Sequence, residues 1–389
     1  MSTFQVKVRR IRAIEAHRNA DALEFAVIDD YRAIVRKGQY LAGELVVYIP
    51  EAAVTTPFVL KTVGLWDEAN NKGRCAGDDG MRVKALKLRG SLSQGLVYPL
   101  SNLTEHPVPG WYLQGEDGTL WPVQEGDEVA SLLGIVKYKP EIPAELDGLV
   151  FDAGIELMPK FDVEDIKKYP DVFHEGEPVS MTEKLHGTFG VFVLLPEQHS
   201  HPEHGDFIVS SKGLSDQGLA FQNVAENKDN AYVRAAAELA VRDRLMRLRE
   251  LLASQGRDVS VPLVVFGEII GSVSKQDLKY GQGLALAVFD IALGWRSSLG
   301  YFDVDETTTL AREAGFGVVP EIYRGPFSRE ALATATSGKE TYSGKGLHIR
   351  EGVVVRPLAV RRHPDIGRVL LKSVSENYLV RGGNATEFS

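Results

Sequence analysis

The chain has a single cysteine, Cys75, in 389 residues, so no intrachain disulfide can staple it, and a reducing, cytoplasmic setting is expected. It also lacks any stretch apolar and long enough to span a bilayer. Residues 1–10 are charged and hold no apolar core of the signal-peptide kind. Cations are in deficit: 44 Lys and Arg against 53 Asp and Glu, a formal net charge of -9. A protein that coats nucleic acid through nonspecific phosphate contacts needs the opposite balance. That deficit leaves room for a local basic track at a reactive site. Internal repeats and low-complexity tracts are absent as well.

What is present is an ordinary globular composition, 44% hydrophobic and 25% charged, at a length that suits two domains. The first third reads as β. Candidate strands are Phe4 to Ile14, Leu23 to Ile28, Arg32 to Val35 beyond an Asp29-Asp30 turn, Leu45 to Ile49, Met81 to Leu88 and Gly95 to Leu100. Short strands punctuated by Gly and Pro predict a small barrel or sandwich. Pro140, Pro143, Pro159 and Pro170 interrupt a stretch without sustained periodicity, which places a linker at 136–165 between domains at 1–135 and 166–389. The second domain mixes strands with helices. One helix is expected over Ala231 to Ser254, a second over Asp305 to Ala314 with Asp305 as N-cap and Gly315 as stop, and a third over Ser328 to Thr336.

The chemistry centres on Thr182-Glu183-Lys184-Leu185-His186-Gly187-Thr188. An extended run precedes it and the apolar Val191 to Leu195 follows, so Lys184 is expected at a strand end beside a glycine turn. A K-x-x-G tetrapeptide alone usually means a surface lysine near a turn. Four further segments change that: Val264-Val265-Phe266-Gly267-Glu268, Ala287-Val288-Phe289-Asp290-Ile291, Arg350-Glu351-Gly352-Val353-Val354-Val355-Arg356, and Val369-Leu370-Leu371-Lys372-Ser373, read as a strand ending in its lysine. Each alone is a strand carrying a charge that reaches water.

In this order, the segments resemble the covalent nucleotidyltransferase superfamily of ligases and RNA-capping enzymes over roughly residues 165–380. The string E-K-L-H-G-T is closer to nick-sealing RNA ligases, since DNA ligases and capping enzymes usually carry Asp where His186 stands. A β-rich N-terminal module ahead of such a domain, with almost nothing after the last motif, resembles the Deinococcus-type RNA ligases. His17-Arg18-Asn19-Ala20-Asp21-Ala22-Leu23 also resembles the opening of tRNA-binding OB modules. The resemblance implies an α+β chain: an N-terminal OB-like β-barrel, then an ATP-grasp-like nucleotidyltransferase domain of antiparallel sheets with helices. It implies ATP and Mg2+ or Mn2+ as cofactors. The implied partner is nicked duplex nucleic acid containing RNA, in RNA repair, with no membrane role.

The resemblance also assigns roles. Lys184 is the nucleophile that takes AMP, and a lysine attacks only as the neutral amine. Lys372 contacts the α-phosphate, and His186 acts near the phosphate and the RNA ends. Glu268 binds the ribose, Glu183 reads the adenine edge, and Phe289 stacks on the base. Lys212 reaches ribose or phosphate, and Glu351 holds the metal. Asp290 would orient a side chain of the K-x-x-G turn. The last motif departs from the usual K-x-K, because Val374 stands at its third position. Arg356 and Lys345 are the cations available to compensate.

Weaker signals have plainer readings. His199, His201 and His204 sit among Pro and Gly as a solvated loop rather than a metal site. Ser337-Gly338-Lys339-Glu340 lacks the frame of a P-loop, and Gly281-Gln282-Gly283 reads as a turn. Arg82, Lys84, Lys87 and Arg89 are equally an RNA track or a solvated strand face. The rival functions are a DNA ligase, an RNA-capping guanylyltransferase, and, from another class, a noncatalytic RNA-binding protein with a degenerate ligase domain. Retention of Lys184, Glu268, Glu351 and Lys372 together speaks against the last.

Overall fold

Alternation and turn chemistry shape the first strands. In the computed structural model, which describes residues 4–101, 113–114, 120–121, 123–138, 146, 148–271, 280 and 283–380, the chain divides into two compact units. One is Met1–Lys139 with Lys167–Pro170 and Glu376–Ser389; the other is Pro140–Ile166 with Asp171–Ser375. Pro140, Pro143 and the Gly281-Gln282 turn lie outside the described residues. Among those described, no helix is long and apolar enough to cross a membrane.

In the first unit, β1 (Lys7–Ala16), β2 (Leu23–Ile28), β3 (Tyr31–Arg36), β4 (Leu45–Ile49) and β5 (Leu96–Pro99) form an antiparallel sheet ordered β5-β4-β1-β2-β3. The first half of β1 pairs with β4 and the second half with β2, and a register shift between Ile11 and Ala13 marks the change of partner. Such a bulge bends a strand and turns a sheet corner. β4 is apolar throughout because both faces are covered: Val47 and Ile49 enter one core with Val8, Val59 and Tyr98, and Val46 enters another with Ile11, Ile28 and Val97. The Asp29-Asp30 turn closes β2 on β3, with Asp29 at φ 50. The expected strand Met81 to Leu88 shrinks to Leu86–Leu88, paired with Ser91–Ser93. Its basic residues therefore do not share one solvated face. Arg82 instead stacks on Tyr138, 3.6 Å from the ring centre, and burial pushes the Arg82 guanidinium down from its ordinary value.

The second unit holds β6 (Glu164–Asp165), β7 (Pro178–Lys184), β8 (Thr188–Leu194), β9 (Phe207–Ser211), β10 (Leu263–Ile270), β11 (Ala285–Leu293), β12 (Gly300–Tyr301), β13 (Gly317–Val318), β14 (Glu321–Pro326), β15 (Gly352–Pro357) and β16 (Leu371–Val374). One sheet runs β6-β16-β15-β7-β14. The other runs β9-β8-β10-β11-β12, with β13 added parallel to β11. Helices α1 (Ala231–Glu238), α2 (Val241–Ser254), α3 (Val304–Glu313) and α4 (Arg329–Thr336) accompany them. Val241, Leu245, Leu248 and Leu252 form the buried stripe of α2, at the spacing of one helical face. That stripe meets Leu310 of α3 and Phe192, Val265 and Ile291 of the second sheet in one core.

Two helix expectations are corrected. The single helix over Ala231 to Ser254 is two helices, because Ala240 adopts the left-handed region at φ 47, ψ 45. The second helix starts at Val304 with Asp303 at the N-cap position. Asp305 lies in the first turn, and its carboxylate is drawn to Arg324 at 2.7 Å. Ser328 does cap α4, accepting from Ala331 N at 3.0 Å.

An L-residue in the left-handed region costs roughly 1–2 kcal/mol, and Ala240 is exposed. Ala240→Gly is expected to stabilise the protein by about 0.5–1 kcal/mol after the entropy of glycine is counted. A thermal melt reads the change; a lower Tm in the variant contradicts this account of the break.

Candidate active site

β7 delivers Lys184 as its last residue, and a tight turn returns the chain into β8 of the other sheet. That return demands glycine: a Cβ on Gly187 would lie 2.2 Å from the Ile269 carbonyl oxygen. Gly187 N donates to Glu268 Oε1 at 2.9 Å, and His186 N donates to the Tyr280 hydroxyl at 2.8 Å. The turn is thus pinned from β10 and from Tyr280, a residue that sequence reasoning passed over although it adjoins the Gly281-Gln282-Gly283 signal.

Antiparallel pairing then places the acids. Lys184 is opposite Gly352 on β15, so Glu351 comes level with the lysine side chain. Lys184 Nζ forms an ion pair with Glu351 Oε1, and His186 Nδ1 lies 3.5 Å from the other oxygen. Glu351 is 5% exposed. Burial by itself would raise its carboxyl, but Lys184 and His186 outweigh that and hold it down to about 2. Glu268 is lifted up to about 8, chiefly by burial, with Lys184 pulling it down and Glu351 pushing it up. One amine, one firmly ionised carboxylate and one carboxyl kept largely protonated at neutral pH therefore meet here. Glu268 does not end its strand, since Ile269 and Ile270 continue it.

Lys372 is also inside its strand, which runs on to Val374. It is buried and opposite Val354, which in turn is opposite Thr182. Side chains alternate along strands, so Lys372 shares the face of Thr182 and Lys184. Val374 pairs with Gly352, in the row of Lys184. Neither expected substitute cation stands in that row. Arg356 lies 3.5 Å from Asp290, and Lys345 belongs to the 340–348 loop, where its N donates to Ser343 Oγ at 3.1 Å.

Phe289 sits at a bulge where β11 carries one residue more than β10. The extra residue re-aims its ring against Phe189 and Phe161, at 5.1 and 5.6 Å. It borders a cavity of about 340 Å³ lined also by Thr182, Val319, Glu321 and Arg356. Glu183 alternates to the face opposite Lys184, where its Oε2 accepts from Thr341 N and Oγ1 at 2.8 and 2.6 Å. Its other oxygen is buried with no hydrogen-bond partner among the described residues.

Lys212 stands apart from the Lys184–Glu351 pair. Its ammonium is held by Asp216 at 3.0 Å and Asp162 at 3.3 Å. Burial works against its charge, and the two carboxylates overcome this and raise it. Asp290 does not orient the K-x-x-G turn: fully buried, it accepts from Arg368 at 2.5 and 3.1 Å and neighbours Arg356. No sequence pattern announces Arg368 as its partner. The histidine loop is built on ring contacts, His204 with Phe151 at 3.6 Å and His199 edge-on to Trp295 at 4.9 Å.

Among the described residues, no group of three or more His, Cys, Asp or Glu side chains is arranged to hold a metal. Glu351 supplies one ionised carboxylate. That number suits Mg2+ or Mn2+ completed by phosphate oxygens and water rather than an all-protein cage. Leu185, next to Lys184 in the chain, packs with Ile270, Ala287 and Val319 in an apolar cluster on which Phe289 rests.

The RNA ligase family model matches residues 177–374, just over half the chain, and an OB-fold domain model matches residues 5–100. The chain belongs to the RNA ligase family. It is an α+β protein with an N-terminal OB fold followed by the ligase domain. Among solved structures it is similar to Naegleria gruberi RNA ligase. A variant of that enzyme with ATP and Mn aligns over 97% of this chain and 98% of that chain, at 21% identity and TM-score 0.67. The enzyme with PPi aligns over 97% and 98% at 22% identity and TM-score 0.64, and another variant with AMP and Mn over 97% and 98% at 20% and 0.67. No curated protein matches the chain.

The Glu268 carboxyl predicts a pH signature. An unfolded glutamate releases its proton near pH 4.5, whereas the folded one keeps it to about 8. Between those values the native state binds more protons, so this contribution is complete below 4.5 and is lost as pH rises through 8. The Tm advantage of the native protein over Glu268→Gln should therefore shrink by a few °C between about pH 5 and 8.5. A pH-independent difference between the two melts would remove the raised carboxyl.

Proposed function

We propose that the chain is an ATP-dependent RNA ligase that seals a 3′-hydroxyl to a 5′-phosphate at a nick through a lysyl-AMP intermediate. The observation that carries this is the convergence of Lys184, His186, Glu268 and Glu351, drawn from three separate segments, on one point. The Naegleria gruberi ligase structures with ATP and Mn, AMP and Mn, and PPi are consistent with the same nucleotide and product.

In the first step Lys184 Nζ attacks the α-phosphate of ATP, forming a phosphoramidate as pyrophosphate departs. The attacking amine must be free of its proton and of Glu351. Glu351, paired with Lys184 and 3.5 Å from His186, acts as a holder of positive charge. Glu351 is the place for a Mg2+ or Mn2+ ion, which would supply charge neutralisation to the phosphates. Lys372, on the same face as Lys184, faces the α-phosphate and stabilises its developing charge. Glu268 fixes the turn through Gly187 N and offers its other oxygen to a ribose hydroxyl. Phe289 stacks on the base, and Glu183 accepts from the adenine edge through its unpaired oxygen. Lys212, tethered by Asp162 and Asp216, serves the ribose or phosphate.

In the second step AMP passes to the 5′-phosphate of the nucleic acid, giving a 5′-5′ pyrophosphate end. In the third, the 3′-hydroxyl attacks that phosphate and AMP leaves, with His186 donating to a phosphate oxygen. Residues 1–135 bind the duplex and 166–389 carry adenylylation. The strand bearing the 3′-hydroxyl is RNA, told from DNA by its 2′-OH.

Incubation with α-labelled ATP and Mg2+ or Mn2+ should label the native protein, and Lys184→Ala should lower labelling by at least roughly 10³-fold. Label retained by that variant removes the nucleophile assignment, and labelling by GTP in preference to ATP removes the nucleotide. Sealing of a nick with ribose at the 3′-hydroxyl end should exceed that of the deoxyribose nick by an order of magnitude or more. Equal sealing defeats the RNA-specific reading.

A further inference from the structure

We propose that Thr341 is a positioning residue that locks the Glu183 carboxylate so that one oxygen alone meets the nucleotide base, and so sets the preference for a 6-amino over a 6-oxo purine. The inference rests on the reading of Glu183 as the acceptor at the adenine edge.

Glu183 is 2% exposed. Thr341 gives both of its donors, N at 2.8 Å and Oγ1 at 2.6 Å, to Oε2. Oε1 is buried and has no hydrogen-bond partner among the described residues. An ionised carboxylate accepts through both oxygens, and leaving one buried and unmet is unfavourable. A 6-amino purine brings the donor that satisfies it. A 6-oxo purine brings an acceptor, and two acceptors repel. Without Thr341 the carboxylate could rotate or divide its oxygens between other donors, and the contrast between the two bases would fade.

Thr341 is itself exposed, so core packing does not require a hydroxyl there. Its place is set by a loop built for rigidity. Glu340, 2% exposed, accepts from Ser343 N at 2.9 Å, from the Ser343 hydroxyl and from Leu347 N at 2.8 Å. Gly344 N closes a turn on the Thr341 carbonyl at 3.0 Å. At the loop base the buried Arg350 donates to the carbonyls of Ala335, Ser337 and Lys339 at 2.5, 3.3 and 3.0 Å. Tyr342 and His348 of the same loop pack edge-on to Tyr280, whose hydroxyl holds His186 N. One loop therefore braces both Glu183 and the turn that follows Lys184.

The test measures lysyl-nucleotide formation by the full chain with ATP and with inosine triphosphate over a range of concentrations. Thr341→Val, which removes the hydroxyl and keeps the backbone donor, should lower the ATP-to-inosine-triphosphate ratio of kcat/KM roughly tenfold, through a higher KM for ATP with kcat unchanged. Thr341→Ser should restore the ratio. A melt of each variant separates this from unfolding, as a purely structural role would lower Tm and depress both nucleotides alike. Glu183→Ala forms the second arm. If it leaves the ratio unchanged, the base-edge reading of Glu183 fails. If it collapses the ratio while Thr341→Val leaves it intact, Glu183 still reads the base and the positioning role of Thr341 is overturned.

Discussion

A half-buried lysine and a buried glutamate meet at the ends of two antiparallel strands, and much of the second unit depends on that meeting. The Lys184–Glu351 pair is set by register: Lys184 lies opposite Gly352 on β15, and Glu351 is the next residue back. A slip of one residue would turn every side chain of β7 to the other face, taking Lys184 away from Glu351. Neither charge tolerates solitude at this depth, because an ion left unpaired in a protein interior is far costlier than the pair. The same pair that holds the site together in the free protein must open before the amine can act as a nucleophile. Stability and reactivity therefore pull on one bond.

Close backbone approach lets that register serve chemistry. The two sheets are stitched at Gly187, where a side chain would strike the Ile269 carbonyl, and β15 is pressed on β16 at Gly352, where a Cβ would lie 2.0 Å from the Ser373 carbonyl oxygen. Glycine at these positions is a matter of space, since each approach brings a carbonyl inside the volume any Cβ would fill. The bulge at Phe289 adds a third local irregularity. Regular strands carry the side chains to the cleft, and the irregular points aim them.

Charge is handled in separate compartments within this unit. Glu351 keeps its charge because Lys184 and His186 face it, whereas Glu268, chiefly through burial, holds its proton to about 8. Asp290 is committed to Arg368 and Arg356, and Lys212 to Asp162 and Asp216. These closed groups leave the amine of Lys184 answering to one ionised carboxylate, a simpler electrostatic problem than the number of charged residues in the motifs suggests.

Local pattern was enough to place several elements. Leu23–Ile28 and Leu45–Ile49 coincide with expected strands, and the third helix, Arg329–Thr336, lies where it was expected. Lys184 at a strand end beside a glycine turn was likewise legible, because a strand and a turn are short-range structures. Ala240 was not, since nothing in an alanine-rich helical stretch signals a left-handed residue. Asp305 was misplaced as a cap because Arg324, distant in sequence, attracts it. The partners that define the site, Thr341 on Glu183, Tyr280 on His186 N and Arg368 on Asp290, come from segments tens of residues or more away. Sequence by itself determined which residue types stand at which strand ends, because side-chain periodicity and turn chemistry are local. Only the tertiary structure decided which of those side chains share a bond, because long-range pairing depends on sheet register and on the competition of every nearby charge for the same partner.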